Sequence, residues 1–161
     1  MKRELLLAAT LFLILASSLC AQQAAGDKEL QLQGNLVLDT SEGSDSGGAG
    51  AILGWFFTDR QEVGGSLFAS IHDDDIAGTA GAFYRYNFGV SKIVPFAGAS
   101  AAASFGPGDG NAIVQLEGGV RFFLDRRTAF TTAAIIDYSV DESEFSDQVN
   151  VLFGFSRLWG K

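Results

Sequence analysis

Cations, cysteine and long apolar runs are scarce in this chain. Eleven Lys and Arg stand against nineteen Asp and Glu, a formal net charge of −8. Phosphate recognition needs clustered Lys and Arg, so nucleic acid is excluded as a partner. A single cysteine, Cys20, offers no internal disulfide, so an exported domain of this composition must be held by its hydrogen-bonded architecture. After the N-terminal stretch no segment approaches the roughly 18 consecutive apolar residues of a membrane-spanning helix. Yet 47% of the chain is hydrophobic and 20 residues are Gly. An apolar, Gly-rich chain without helical spans fits a closed sheet better than a compact soluble core.

The N-terminus reads MKRELLLAATLFLILASSLCAQQ. Lys2 and Arg3 precede an apolar run from Leu5 to Ala16 that is too short to anchor in a bilayer, and small residues follow. This layout predicts a signal peptide over residues 1–21, cleaved after Ala21 or Cys20, and one domain over 22–161. Lipidation of Cys20 is disfavoured, because Leu19 and Ser17 occupy positions where lipoprotein signals place a small residue and a leucine.

Eight segments then alternate apolar and polar side chains with period two, which predicts strands at 29–39, 47–57, 62–72, 77–88, 93–105, 112–124, 128–139 and 148–159. One face carries sets such as Leu30, Leu32, Leu36, Leu38 and Ala49, Ala51, Leu53, Trp55, Phe57. The other carries Gly, Ser, Asn, Gln, Glu and Arg, with some Phe. Apolar outside and polar inside is the pattern of a sheet closed in lipid. A ten-residue strand tilted by ~40° rises roughly 25 Å, the height of an outer-membrane apolar band. The expected fold is an all-β, eight-stranded antiparallel up-and-down transmembrane β-barrel.

The connections sort by charge. Thr58-Asp59-Arg60-Gln61, Gly89-Val90-Ser91-Lys92 and Asp125-Arg126-Arg127 are short and contain cations. The alternate set is expected to be longer on average and carries Asp39, Glu42, Asp45, Asp73, Asp74, Asp75, Asp109, Asp141, Glu142, Glu144 and Asp147 with no Lys or Arg. Short turns belong at the periplasmic rim and longer loops outside, so the charge pattern orients the barrel. Outward Trp55, Phe57, Tyr84, Tyr86, Phe88, Phe122, Phe130, Phe155 and Trp159 gather near the short turns as one interfacial girdle. The opposite girdle is thinner, with Phe105 and Tyr138.

Three stretches carry a family likeness: Gly54-Trp55-Phe56-Phe57-Thr58-Asp59 with Val63-Gly64-Gly65-Ser66-Leu67; Tyr84-Arg85-Tyr86-Asn87-Phe88 with Val94-Pro95-Phe96-Ala97-Gly98-Ala99; and Phe153-Gly154-Phe155-Ser156. In order and spacing they resemble the small OmpA- and OmpX-like eight-stranded outer-membrane barrels. The resemblance covers the whole mature chain. It implies an outer-membrane location in a Gram-negative bacterium, membrane lipid and lipopolysaccharide as surroundings, and delivery by the barrel-assembly machinery. Gly160-Lys161 after Trp159, and Arg157 in an outward slot, depart from the aromatic ending usual in that group.

Inward positions bring Glu62, Arg85, Glu117, Arg121 and Asp137 together with Gln31, Gln33, Asn35, Gln115 and Asn150. Counting from the turns sets Arg85 opposite Gly64, Arg121 opposite Phe96 and Glu117 opposite Ser100. Arg–carboxylate pairs are expected, since unpaired charge in a narrow barrel is costly. With Phe56, Phe68, Phe83, Phe96 and Phe123 also inward, a barrel of eight strands is expected to be filled rather than porous. Catalysis is not expected. The only histidine, His72, neighbours Ser70, but their Cα atoms lie roughly 6.6 Å apart along one strand face and no dedicated nucleophile accompanies them. Asp73-Asp74-Asp75 matches no calcium-loop spacing, and Gly106-Pro107-Gly108-Asp109-Gly110 lacks the strand-to-helix setting of a phosphate cradle. Hence no catalytic, cofactor or metal residues and no cofactor are expected. The chain reads as a monomeric, non-enzymatic outer-membrane barrel with a structural or surface-interaction role. A narrow solute pore, a lipid-modifying enzyme and a soluble periplasmic ligand-binding barrel are the alternatives.

Overall fold

The computed structural model describes residues 23–38, 47–72, 75–106, 110–140 and 144–160. The expected leader with Cys20, and the acidic positions Asp39, Glu42, Asp45, Asp73, Asp74, Asp109, Asp141 and Glu142, lie outside them. So do the side chains of His72, Asp75, Glu144 and Asp147.

Eight strands form: β1 (Lys28–Leu38), β2 (Gly47–Phe56), β3 (Gln61–His72), β4 (Asp75–Asn87), β5 (Ile93–Phe105), β6 (Ala112–Phe123), β7 (Thr128–Ser139) and β8 (Glu144–Trp159). Each pairs antiparallel with its successor, and β8 returns to β1 to close the barrel. Alternation fixes the two faces as expected. Leu32, Leu53, Leu67, Leu124 and Phe155 are each at least 55% exposed on the outer wall, while Phe56, Phe83, Phe96 and Phe123 are buried inside.

Three expectations about register and ends are corrected. Arg85 stands opposite Glu62, with Gly64 opposite Phe83. Arg121 stands opposite Val94, with Phe96 opposite Gly119, and Glu117 stands opposite Gly98, with Ser100 opposite Gln115. Each is a slip of two residues. A slip of two leaves every side chain on its own face, so alternation is blind to it. The third correction concerns strand ends. β8 begins at Glu144 and β4 at Asp75, four and two residues earlier than expected, so the acidic connections 39–46, 73–74, 106–111 and 140–143 remain longer on average than 57–60, 88–92 and 124–127, but by less than one residue. Charge distinguishes the rims more sharply than length does.

β8 gains its early start through a bulge. Ile136 faces Val149, but Tyr138 faces Phe145, so residues 146–148 stand against Asp137 alone. Extra residues on one strand bend it and re-aim its side chains. Here Phe145 lies on Tyr138, with ring centroids 4.9 Å apart, and adds a ring to the thinner aromatic set at the acidic rim. The first band is as expected: Trp55–Phe57, Phe57–Tyr84, Tyr86–Phe88, Phe122–Phe130 and Phe130–Phe155 rings lie 5.2–6.4 Å apart.

Inward bulk is accommodated by inward glycine. A Cβ on Gly50 would meet the Phe68 ring at 2.7 Å, one on Gly64 the Phe83 ring at 2.6 Å, and one on Gly119 the Phe96 ring at 2.7 Å. Each ring therefore lies over bare backbone of the neighbouring strand. At the short-turn end Phe56, Val94, Phe123, Ala129 and Leu158 pack as one buried apolar cluster.

Candidate functional site: an ionic cluster beneath a polar cavity

At the short-turn end the chain before β1 is tied to β2 by backbone. Gly26, at φ +93°, turns the chain under the barrel; its N–H donates to the Phe56 carbonyl at 2.6 Å, and the Phe56 N–H donates to Asp27 at 2.8 Å. The fully buried Gln23 then reaches across the mouth, donating through Nε2 to the Asp59 carbonyl at 3.1 Å.

Above this cap, charge is concentrated in one layer. The Arg85 guanidinium grips Glu117 side-on, Nε to Oε1 at 2.8 Å and Nη2 to Oε2 at 3.1 Å, and its Nη1 reaches Glu62 Oε2 at 3.4 Å. Arg121 Nη2 donates to Glu29 Oε2 at 2.8 Å and to the same Glu62 Oε2 at 3.2 Å. Its Nη1 donates to Asn87 and to Gln23. One carboxylate oxygen thus bridges two arginines, and all five charged side chains are at most 9% exposed. Phe96 lies between the guanidiniums, its ring centre 4.5 Å from Arg85 Cζ and 5.9 Å from Arg121 Cζ. Phe83 and Phe56 supply further faces at 5.0 and 5.5 Å. Bidentate pairing and aromatic faces together offset the desolvation of two buried cations.

Glycine makes room here too. Gly98 sits between Arg85 on β4 and Glu117 on β6, and its Cβ would strike the Tyr84 carbonyl at 2.7 Å and Glu117 Oε1 at 2.5 Å. Gly54, opposite Glu29, is backed directly by the Glu62 carboxylate.

Beyond the cluster, towards the acidic rim, lies a cavity of about 220 Å³. Arg85 and Glu117 belong to its lining, with Ile52, Phe83, Ile135 and Leu152 on its apolar side. Its polar side is a relay: Ser100 Oγ donates to Gln115 Oε1 at 2.9 Å, Gln115 Nε2 to Asp137 Oδ1 at 2.9 Å, and Asn150 Nδ2 to Asp137 Oδ2 at 3.4 Å.

All five charged residues expected inside are inside. Four of them join the cluster, and Asp137 stands apart in the cavity. Glu29, Asn87 and Gln23 were missing from the expectation. Glu29 and Asn87 were within reach of the sequence, since they continue the inward parity of Gln31 and Arg85 by one step; Gln23 precedes the first strand and gave no periodic signal. Ser70 donates to the Ala77 carbonyl at 3.5 Å. Among the described residues no group of three His, Cys, Asp or Glu side chains is placed to hold a metal ion.

No protein-family model and no curated protein matches the chain. Solved structures do. The N-terminal β-barrel domain of Pseudomonas aeruginosa OprF is 15% identical, with a TM-score of 0.69 over 85% of this chain and 100% of that one. Neisserial surface protein A is 9% identical, with a TM-score of 0.61 over 84% and 96%. Ail, the attachment invasion locus protein of Yersinia pestis, is 10% identical, with a TM-score of 0.52 over 84% and 99%; it has also been solved with the heparin analogue sucrose octasulfate. The fold is that of the small eight-stranded transmembrane β-barrels of outer membranes.

Proposed function

We propose that this chain is exported by a cleaved signal peptide and stands in the outer membrane of a Gram-negative bacterium as a monomeric, non-enzymatic barrel. Its role is structural or one of surface interaction, and its interior is closed to solutes. The observation that carries this reading is the inversion of the molecule. Large side chains such as Leu32, Leu53, Ile76, Leu124 and Phe155 face outward around the barrel at 59–61% exposure, while five charges are enclosed. The largest apolar patch on a soluble monomer is typically about 300–600 Å². An apolar wall running round the barrel, with an aromatic band at the short-turn rim and the Tyr138–Phe145 pair at the other, suits hydrocarbon instead. Lipid and lipopolysaccharide are the corresponding surroundings, and the barrel-assembly machinery the corresponding delivery route.

Fractionation of expressing cells, read on a denaturing gel before and after boiling, tests the placement. The protein is expected in the outer-membrane fraction with a migration that boiling changes. Extraction by alkaline carbonate would overturn the reading in favour of a soluble ligand-binding barrel.

The cavity above the ionic cluster favours a second reading, a narrow pore. Against it stand the Arg85–Glu117 and Arg121–Glu29 pairs and the Gln23 cap in series. Conductance of protein-loaded planar bilayers is expected at background, and stepwise current above it would establish the pore. The acidic outer connections also bear on partners: a polyanion such as the ligand solved with Ail would meet repulsion from Asp73, Asp74, Asp141 and Glu142.

A further inference from the structure

We infer that the seam where β8 closes onto β1 carries a binding site for the phosphate of an anionic phospholipid in the leaflet at the short-turn rim. The inference rests on the membrane placement proposed above.

Among outward strand positions with described side chains, Lys28 and Arg157 are the only charged ones. The rest are aliphatic, aromatic, Gly, Pro, Thr or Gln. Two isolated charges on so large a wall have no reason to meet, yet they are diagonal neighbours. Lys28 on β1 pairs with Trp159, and the next outward residue of β1, Leu30, pairs with Arg157 on β8. Diagonal positions of an antiparallel pair lie about 7–8 Å apart, within joint reach of two long side chains. Both charges are positive, and both are exposed, Arg157 at 61%.

Two tryptophans frame the pair. Lys28 is flanked by Trp159 on β8 and by Trp55 on β2. Indole rings settle at headgroup depth, which fixes the level of the cations at the phosphates rather than in the hydrocarbon. Among the described residues, Arg157 is held only from the side of β7 and the turn before it. Arg157 Nη1 donates to Thr128 Oγ1 at 2.6 Å, and Asp125, itself 60% exposed, lies 3.8 Å away. An exposed pair at that separation holds Arg157 weakly, and its guanidinium has further donors to offer. A phosphodiester bridging Lys28 and Arg157 would neutralise both, with its acyl chains descending beside Leu30, Leu32 and Phe155.

The chain's only two tryptophans are Trp55 and Trp159, so its intrinsic fluorescence reports on this seam. The barrel is reconstituted in phosphatidylcholine vesicles containing an equal low fraction of either brominated phosphatidylglycerol or brominated phosphatidylcholine. Two cations near the headgroups are expected to enrich the anionic lipid at the seam on the order of tenfold over its bulk fraction. Brominated phosphatidylglycerol is then the stronger quencher. The preference is expected to vanish in the double variant Lys28→Gln/Arg157→Gln and to persist in Arg126→Gln/Arg127→Gln, which removes two rim cations elsewhere. Equal quenching by both lipids in the unaltered protein would overturn the site while leaving membrane placement intact, and that comparison needs no variant. Loss of preference in the Arg126/Arg127 variant would also overturn it, reducing the effect to general attraction by a basic rim. Absence of quenching by either lipid would refute the membrane placement itself.

Discussion

At the scale of single residues, the enclosed charges are unequal in number: three carboxylates, Glu29, Glu62 and Glu117, against two guanidiniums. Removing an acid and removing a base should therefore differ sharply. Arg121→Met strands Glu29 and leaves the whole cluster to Arg85, and is expected to lower unfolding free energy by about 3–5 kcal/mol. Glu62→Gln keeps the volume and balances the charge, and should stay within about 1 kcal/mol of the unaltered protein. Urea titration in one detergent measures both; equal losses would refute the charge accounting. Glycines give a second contrast. Gly98→Ala forces a methyl against the Tyr84 carbonyl and should cost about 1–3 kcal/mol by overpacking. Gly118→Ala, where nothing lies within 4 Å of the new methyl, should be neutral to within about 0.5 kcal/mol. Parity along each strand revealed Arg85 and Arg121 as inward. It says nothing of which glycine vacates space for which carboxylate, because that depends on neighbours one strand away.

At the scale of elements, the turn between β6 and β7 shows how a short connection is held. The Asp125 carboxylate accepts the N–H groups of Arg127 at 2.6 Å and Thr128 at 2.8 Å. Those bonds, the Arg127 one foremost, hold its carboxyl below the ordinary aspartate range. A lowered folded value means the contribution is present above the unfolded pKa of about 3.9 and disappears as pH falls through the folded value. The stability difference between the unaltered protein and Asp125→Asn should be constant from neutral pH down to about 4 and shrink below it. Unfolding midpoints across that range measure it, and a difference independent of pH would refute the role. Most strand ends were readable because Gly, Asp and Ser interrupt the alternation there. The start of β8 was not. Ser146-Asp147-Gln148 breaks the apolar pattern as a loop would, while the backbone keeps pairing through a bulge. Register escaped for a related reason, since only an odd slip moves a residue to the wrong face.

At the scale of the molecule, closure was legible from the count of strands and from the inverted faces. The cap by Gln23 and the division into a packed lower half and a hollow upper half were not. Both depend on contacts without sequence period. Closure also makes the molecule intolerant of losing a strand. Removing residues 144–161 would expose the β1 and β7 edges, and an unpaired backbone group in hydrocarbon costs several kcal/mol. Such a truncation is expected to abolish the heat-modifiable band altogether. A folded band from the truncated chain would refute a membrane-spanning closed sheet.

The two arginines also differ in when they can be satisfied. Arg85 finds Glu62 and Glu117 within 23 and 32 positions, all on the run of hairpins from β3 to β6. Arg121 finds Asn87 and Glu62 on that same run, 34 and 59 positions earlier, but its partners Glu29 and Gln23 stand 92 and 98 positions earlier, which the succession of hairpins cannot deliver by itself. Distant partners are joined late, because loop closure is costly until other contacts have shortened the path. Arg85 thus has all its partners on one run of hairpins, whereas the set around Arg121 is complete only when β1 has come round to β8. Through Arg121 the ionic layer ties the middle hairpins to the strand that closes the circle.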